Sequence, residues 1–544
     1  MSASSPYAAR DWSPDERPIM PGSPSSPAHT AARRAAYFAV GLLVTLTGGL
    51  GNALATVNLV NLQGTLSAFQ ADINWLPAAY VMGNVSMNLL LVKFRQQFGL
   101  RSFTLSFLAL YALITFAHLF VSDLGSAIAV RAAHGMAAAA LSTLGLYYML
   151  QGFSGQRRML AVLIYAGVTQ LPTPIAYVFS ASLLHLAAWR GLYLFELALA
   201  LATFAAVLHL PLPEGDRSRA FRLPDFFTFL LFAPGMALLA AALTFGRVLW
   251  WTDQQWIGVA LAASIALLAA AFCHERHRAE PLLDLHWLSM GEIAMTACAL
   301  VMVRIVLAQQ GVTAVGMLRL AGLNNDEMRT LFSAVLASSI AAIVVAVLVV
   351  RPARLVAVQV AALLIMAGSA WMDMHANNLT RPGQMILSQS LLAFGGVLFL
   401  APTLLKLIGS VIANPSALIS FSVLFGLTQN LGGLIGTSLV GSFQMVRVKY
   451  HSAVLADHLS ALDPAVAARI AHSGSALALT VTDPLARMQL GAGALAASVA
   501  REANILAYND VSMVIALIAL LLAASLAGRA LWTSMTAPAP ASQP

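Results

Sequence analysis

The sequence predicts an all-helical protein that crosses a membrane about fourteen times. Three observations predict it. Of 544 residues, 59% are AVILMFWYC and only 10% are DEKR, where a soluble domain carries roughly 25% charged residues. Mean hydropathy is +0.79, so most of the chain must be solvated by lipid. Apolar runs of about 20 residues, the length that crosses about 30 Å of hydrocarbon, recur from residue 36 to residue 532.

Residues 1–32 are rich in Pro and Ser and have no apolar core. They read as a disordered tail rather than a cleavable signal. After the paired Arg33 and Arg34, six spans fall near 36–60, 75–93, 103–122, 127–150, 159–183 and 191–210, a bundle over 33–210. The polar joint PLPEGDRSRAFRLPD follows at 211–225, then two spans near 226–248 and 255–273, and a second joint, HERHRAEPLLDLH, at 274–286. The stretch 211–286 is thus a linker with two extra helices. Six further spans near 290–318, 330–350, 355–373, 383–406, 415–445 and 510–532 make a second bundle over 287–532, with a tail at 533–544. The one long loop, 446–509, is Ala-rich and predicts short amphipathic helices over one mouth of the protein. Two six-span bundles are a transporter plan, with the substrate path at their interface.

Arg95, Arg101, Arg157, Arg158, Arg217, Arg219, Arg222, Arg276, Arg278, Arg351 and Arg354 all fall on the side of the N-terminus. The positive-inside rule places that side, with both termini, in the cytoplasm. The same asymmetry accounts for a net charge of +8 without a nucleic-acid partner. Cys273 and Cys298 lie in or beside spans and predict neither a disulfide nor a metal site. No phosphate-binding loop, metal-ligand cluster or nucleophile elbow is present, which argues against an ATP-driven pump or an intramembrane hydrolase.

Polar residues inside the spans are the functional candidates, because a charge in hydrocarbon persists only facing protein or water. Arg131 and His134, at i and i+3 on one helix face, are followed by Gly135 and Ala137 to Ala140, which admit a neighbouring backbone. Two readings stand: a proton-responsive pair, since imidazole titrates near neutrality, or a guanidinium holding backbone carbonyls beside a satisfied histidine. Glu196 is the one acid well inside an apolar run of the first bundle. It is a proton carrier or an interfacial partner of Arg190. Arg304, Gln309 and Gln310 are the second bundle's polar counterpart. Asn52, Asn84, Gln429 and Asn430 line a cavity or glue helices together. Gly432 and Gly436 form a small-xxx-small pair for close packing.

Several of these residues sit in recognisable motifs. RAAHGMAAAA at 131–140 resembles R-x-x-Q-G-x-x-x-A, with His134 for Gln. LLLVKFRQQFGLRS at 89–102 resembles G-x-L-a-D-r-x-G-r-r, keeping Gly99 and Arg101 but with Gln96 at the Asp position. NWLPAAY keeps Trp75 and Tyr80 of W-x-x-x-x-Y, and AAWRGLYLFE is similar to W-R-w-x-f-x-x-N, with Glu196 at the Asn. LTQNLGGLIGTSL at 427–439 resembles R-x-x-G-g-x-x-G-t, with Gln429 for Arg. Together these resemble the fourteen-span drug:proton antiporter branch of the major facilitator superfamily, the EmrB/QacA type.

The resemblance implies two six-helix bundles plus two extra central helices, working by alternating access. It implies no cofactor, a proton gradient as energy source, and export of amphipathic or aromatic small molecules across a bacterial inner membrane. Relatives of this type that work with a periplasmic adaptor and an outer-membrane channel make such partners an expectation. It assigns Gly99 and Arg101 to a gate-latching loop whose Asp is missing here. It assigns Pro172 and Pro174, in AGVTQLPTPIAYVFSAS, to the span-five antiporter motif, which has lost its Gly pairs. The family's span-one Asp aligns with about Gly51, so no acid remains in that span. Two other readings stay open: a facilitator or importer of an organic anion with Arg131 and Arg304 as counter-charges, and a membrane scaffold or sensor acting through the long loop.

Overall fold

A computed structural model describes residues 12–13, 16–18, 20, 22–460, 462–476 and 478–536. The described residues are helical, with no strand among them. Thirteen helices are long and apolar enough to cross a membrane, and a bent pair makes a fourteenth. In order they are span one Ala31–Val57, two Asp72–Phe98, three Leu100–Phe120, four Leu124–Gln151, five Arg158–Val168 with Pro172–Ala187, six Trp189–His209 and seven Leu223–Val248. Then come eight Gln255–Arg276, nine Gly291–Leu320, ten Arg329–Val349, eleven Pro352–Asp373, twelve Pro382–Ala413, thirteen Pro415–Asp457 and fourteen Pro484–Thr536.

Local chemistry sets the breaks. Gly99 ends span two with φ +80°, a left-handed conformation that side chains resist, and span three starts at the next residue. Asp123 opens span four by accepting the Ser126 amide at 2.9 Å, with the Ser126 hydroxyl reciprocating. Pro172 cannot donate to the helix before it, and span five bends there by 46°. Spans two and four cross closely at Gly83 and Gly135. A Cβ at Gly83 would strike the Ala132 carbonyl, and one at Gly135 the Tyr80 carbonyl. Spans one to six pack mainly with one another, as do nine to fourteen. Spans five and two carry much of the contact between the two groups.

The joints do more than connect. Asp225 and Glu275 are buried at the N-terminal side of spans seven and eight. Lys93 reaches Asp225 at 2.5 Å, and Arg278 reaches Asp225 and Glu275 at 2.6 Å each. Glu275 also accepts from Thr228 and from the amide of Leu283 at 3.1 Å. The second joint continues to the second bundle, where the Asp284 amide donates to Ser420 at 2.7 Å. Removing one partner of a buried ion pair strands the others. Asp225→Ala is therefore expected to destabilise the protein by about 3 kcal/mol, read as a lowered midpoint of thermal unfolding in detergent. An unchanged midpoint refutes this role.

Two sequence expectations are corrected. Part of the amino-terminal stretch is docked rather than disordered: Met20, Ser23, Ser25 and Ser26 are buried. Gln151 donates to the Ser25 carbonyl at 2.8 Å, the Ser25 amide donates to Glu214 at 3.1 Å, and His29 meets Gln151 at 2.9 Å. The dock is made by the ends of distant spans and the first joint, which local composition does not register. The tail expectation for 1–11 and 537–544 lies outside the described residues. The long loop is also shorter than expected. Span thirteen runs on to Asp457, Pro464–Ser475 forms one helix, and span fourteen begins at Pro484. At 53 residues and about 1.5 Å each, span fourteen projects well beyond a bilayer. Asp510 ties it to span thirteen through Arg447 and His451, both at 2.6 Å.

Candidate functional site

A cavity of about 370 Å³ lies between the bundles. Its middle is lined by Asn52, Asn84, Asn88, Gln429, Asn430 and Arg304, and its N-terminal end by Met20, Arg95, Tyr147 and Phe421. A second chamber of about 300 Å³ shares Thr56, Gln170, Thr173 and Arg304 with it and continues toward the opposite side. Beyond that chamber the bundles are closed. Tyr177 stacks on Phe332 with ring centroids 3.7 Å apart, while Arg319 and Asn325 both donate to the Val57 carbonyl at 3.2 Å. At mid-height Asn430 donates to Asn84 at 2.9 Å across the interface.

The cavity wall is positive. Arg95 and Arg304 line it, and among the described residues no Asp or Glu does. Arg304 has one weak protein partner, Gln170 at 3.4 Å. Arg95 is buried, and none of its three guanidinium nitrogens has a hydrogen-bond partner among the described residues. The guanidinium lies over the Tyr147 ring, at 4.9 Å. Gln429 likewise has both side-chain polar atoms unpartnered. Buried donors without acceptors are costly unless a ligand or water supplies them.

Behind the span-one wall sits a closed ionic cluster. Arg131, His134 and Glu196 are all buried. His134 Nε2 is 2.8 Å from Glu196 Oε1, and the Tyr111 hydroxyl donates to the same oxygen at 2.9 Å. Arg131 donates to the Gly51 carbonyl at 2.8 Å and to Asn52 Oδ1 at 2.9 Å, and its Nη1 lies 3.3 Å from His134 Nδ1. Because guanidinium only donates, Nδ1 is the accepting nitrogen. The ring proton then sits on Nε2, aimed at Glu196. Tyr80 faces the Arg131 guanidinium with its ring, 4.7 Å away, and His118 packs on His134 at 5.0 Å between ring centroids. The Glu196 carboxylate fills the space that a span-one side chain at residue 51 would need: a Cβ on Gly51 would fall within 3 Å of Glu196, Tyr111 and His134.

The structure therefore joins Arg131, His134 and Glu196, and leaves them outside both chambers, with Asn52 between the cluster and the cavity. Arg131 is held away from the cavity, so as a counter-charge for an anion it gives way to Arg304. Arg190, the alternative partner of Glu196, instead sits over the Trp189 ring at 4.7 Å. Gln310 lines the second chamber, but Gln309 is buried away from both chambers, with its amide on Asp373 at 2.9 Å. Gly99 and Arg101 belong to a loop without an acid latch. Its fastening comes from the first joint, with the Ser218 amide on the Gln96 carbonyl at 2.9 Å and the Ala220 amide on Gln97 at 2.8 Å. Pro172 lines the cavity and packs on Gly49, and Pro174 lines the second chamber. Gly436 lets span thirteen lie directly on the Arg304 carbonyl, and Gly432 faces the Arg304 side chain.

Sequence reasoning missed Arg95 as a cavity residue, Asp373 in the second bundle, and Tyr111 and His118 around the cluster. It also missed two π-helical turns, Gln310–Ala314 and Leu427–Leu431, which turn Gln310, Gln429 and Asn430. Such turns recur at functional sites, but nothing in the residue pattern marks them. Arg95 was hidden among loop arginines, and only its depth below Met20 sets it apart.

No family model matches the chain. A curated relative, MFS-type transporter calB of Penicillium decumbens, is 23% identical over 273 residues, 48% of this chain and 49% of that one. The chain thus spans about half the length of the curated relative it matches. Among solved structures, the human organic anion transporter MFSD10 (TETRAN) aligns at TM-score 0.53 and 11% identity, over 90% of this chain and 100% of that one. An auto-inhibited POT family peptide transporter aligns at 0.55 and 13% identity, over 94% and 99%. The proton:xylose symporter XylE aligns at 0.50 and 14%, over 90% and 95%. At these identities the likeness speaks to architecture: this chain has the major facilitator fold.

Proposed function

We propose that the protein is a secondary active transporter of the fourteen-span drug:proton antiporter branch, exporting amphipathic organic molecules by alternating access across a bacterial inner membrane. On this reading both termini are cytoplasmic, and the conformation described is closed outward, with its cavity reaching toward the cytoplasm. The observation that carries the reading is Asn52, which lines the cavity and also accepts from Arg131. Substrate space and the ionic cluster share a residue. A proton reaching Glu196 weakens the acceptor for His134 Nε2–H and removes the nearest counter-charge of Arg131. The guanidinium then has reason to leave Gly51 and Asn52, and span one to shift against span four. Substrate and proton thus act on the same contact, which is what coupling requires.

The test is the compound-sensitivity profile of a deletion strain, with and without an uncoupler. Loss of the protein is expected to sensitise cells to a set of amphipathic compounds, with their retained efflux abolished by the uncoupler. Unaltered accumulation of such compounds refutes the proposal. One observation favours a second reading, a carrier of organic anions without proton antiport: among the described residues the cavity holds Arg95 and Arg304 and no acid. MFSD10, similar in fold, is described as an organic anion transporter. Counterflow in proteoliposomes without a pH gradient separates the two, since only a facilitator sustains it with Glu196 replaced.

A further inference from the structure

The first bundle's buried acid faces a histidine at 2.8 Å and shares its cluster with an arginine. The second bundle holds a buried acid with no such partner among the described residues. Asp373 ends the span-eleven helix and is 5% exposed. Its Oδ2 accepts two amides, Gln309 Nε2 of span nine at 2.9 Å and Gln389 Nε2 of span twelve at 2.6 Å. Neither donor carries charge. Among the described residues no cation forms an ion pair with Asp373, and the groups around it are accounted for. Span nine presents Gln309 and Gln310, and span twelve presents Ser388 and Gln389. Span fourteen, which also packs here, donates from Asn509 to the Ala376 carbonyl at 2.9 Å. Its Asp510 is taken by Arg447 and His451, and its Tyr508 lies against Gly316. Past the end of span eleven, His375 packs on Trp371 and Arg381 donates to the carbonyls of Asn378 and Thr380.

An ionised carboxylate in such surroundings is expensive, whereas the protonated acid is not. Acceptors there also lack partners, Asn509 Oδ1 among them. Gln309 is fully buried and its Oε1, on the same amide that donates to Asp373, receives no hydrogen bond. A pocket holding a carboxyl and a spare acceptor, with no positive group, is short of a donor.

We propose that Asp373 is a second proton-binding site, occupied as the carboxylic acid in this outward-closed conformation. The site is wired to substrate space. Gln389 donates to Asp373 and accepts from Gln310 at 3.4 Å, and Gln310 lines the second chamber beside Arg304. Gln310 also opens the π-helical turn Gln310–Ala314 in span nine. Loss of the proton to water leaves a negative charge that the two amides and the Ser388 hydroxyl must carry without a cation. The pocket then favours a conformation in which the end of span eleven meets water. Proton occupancy at Asp373 and the position of Gln310 are thereby linked.

The inference concerns occupancy, and only its consequence for transport rests on the proton-coupled reading above. The test uses the purified full-length protein. Infrared difference spectra over a pH titration are expected to show a protonated-carboxyl C=O stretch that disappears at alkaline pH. That band is lost in Asp373→Asn and retained in Glu196→Gln. On the wild-type protein, dicyclohexylcarbodiimide, which reacts with protonated carboxyls in apolar surroundings, is expected to modify the Asp373 peptide, with labelling falling more than tenfold as pH rises. Absence of both signals overturns the proposal. So does labelling that sodium suppresses at constant pH, which would make the pocket an alkali-cation site. Labelled Asp373 in a protein whose transport ignores the pH gradient would leave this site standing and sink the coupling reading instead.

Discussion

Glu196→Gln is expected to abolish transport driven by a pH gradient while leaving a folded, membrane-inserted protein. Glutamine preserves the side chain's length and can still accept from Tyr111 and His134, so the packing of spans three, four and six survives. What it removes is the negative charge that faces His134 at 2.8 Å and offsets Arg131. A proton can then no longer be taken up or released there, and the gradient loses its purchase on Asn52. The loss in gradient-driven rate is expected to exceed about tenfold, the factor set by roughly 1.4 kcal/mol of charge interaction. Glu196→Ala is the harsher change, because it strands two buried basic groups. Gly51 offers a rescue. A side chain at 51 points into the Glu196 carboxylate, so Gly51→Asp in an Glu196→Ala background returns an acid to the cluster from span one. Recovered pH dependence in the double variant, with none in Glu196→Ala alone, would show that the carboxylate's position matters and its helix of origin does not. Gradient-driven uptake by Glu196→Gln at the wild-type rate in proteoliposomes would remove Glu196 from the coupling mechanism.

The spans were legible because crossing hydrocarbon imposes a length and a composition that local sequence must satisfy. Arg131, His134 and Glu196 were legible for the same reason in reverse, as polar groups where lipid allows few. That they touch was not legible, because His134 and Glu196 lie on different helices and meet through the packing of spans three, four and six around Tyr111. The amino-terminal stretch failed in the opposite direction. Its composition predicts disorder, but it docks on the Glu214 carbonyl, Gln151 and Arg158, groups from three separate parts of the chain. The Lys93–Asp225–Arg278–Glu275 network involves both joints, which read as ordinary solvated charge. Position in a sequence records what each residue is, and a cavity depends on which residues share one height in the bilayer.

The second large effect concerns Arg304 and Arg95, and it separates a substrate role from a structural one. A structural arginine is hydrogen-bonded, and its loss costs stability. Arg304 meets a protein acceptor only at 3.4 Å, and Arg95 meets none. Arg95 therefore carries an uncompensated burial cost, and the half-buried Arg304 a smaller one, that a ligand's acceptors would repay. Arg304→Gln and Arg95→Gln are expected to leave thermal stability in detergent unchanged or raised. Affinity should move the other way. A hydrogen bond to a charged group contributes about 1.5–3 kcal/mol, so each variant is expected to weaken binding of an aromatic carboxylate such as 2-naphthoate roughly ten- to a hundredfold. Binding of the matched cation, 2-naphthylmethylamine, should hold or improve, since a positive wall has become neutral. The two variants need not be equal: Arg304 touches both chambers, whereas Arg95 lies at the N-terminal end beneath Met20. A transported anion passing from one to the other meets Arg304 throughout, so its loss is expected to slow transport more. Variants that lose stability and bind both probes as the wild type does would make these arginines structural, and the positive cavity would then say nothing about what the protein carries.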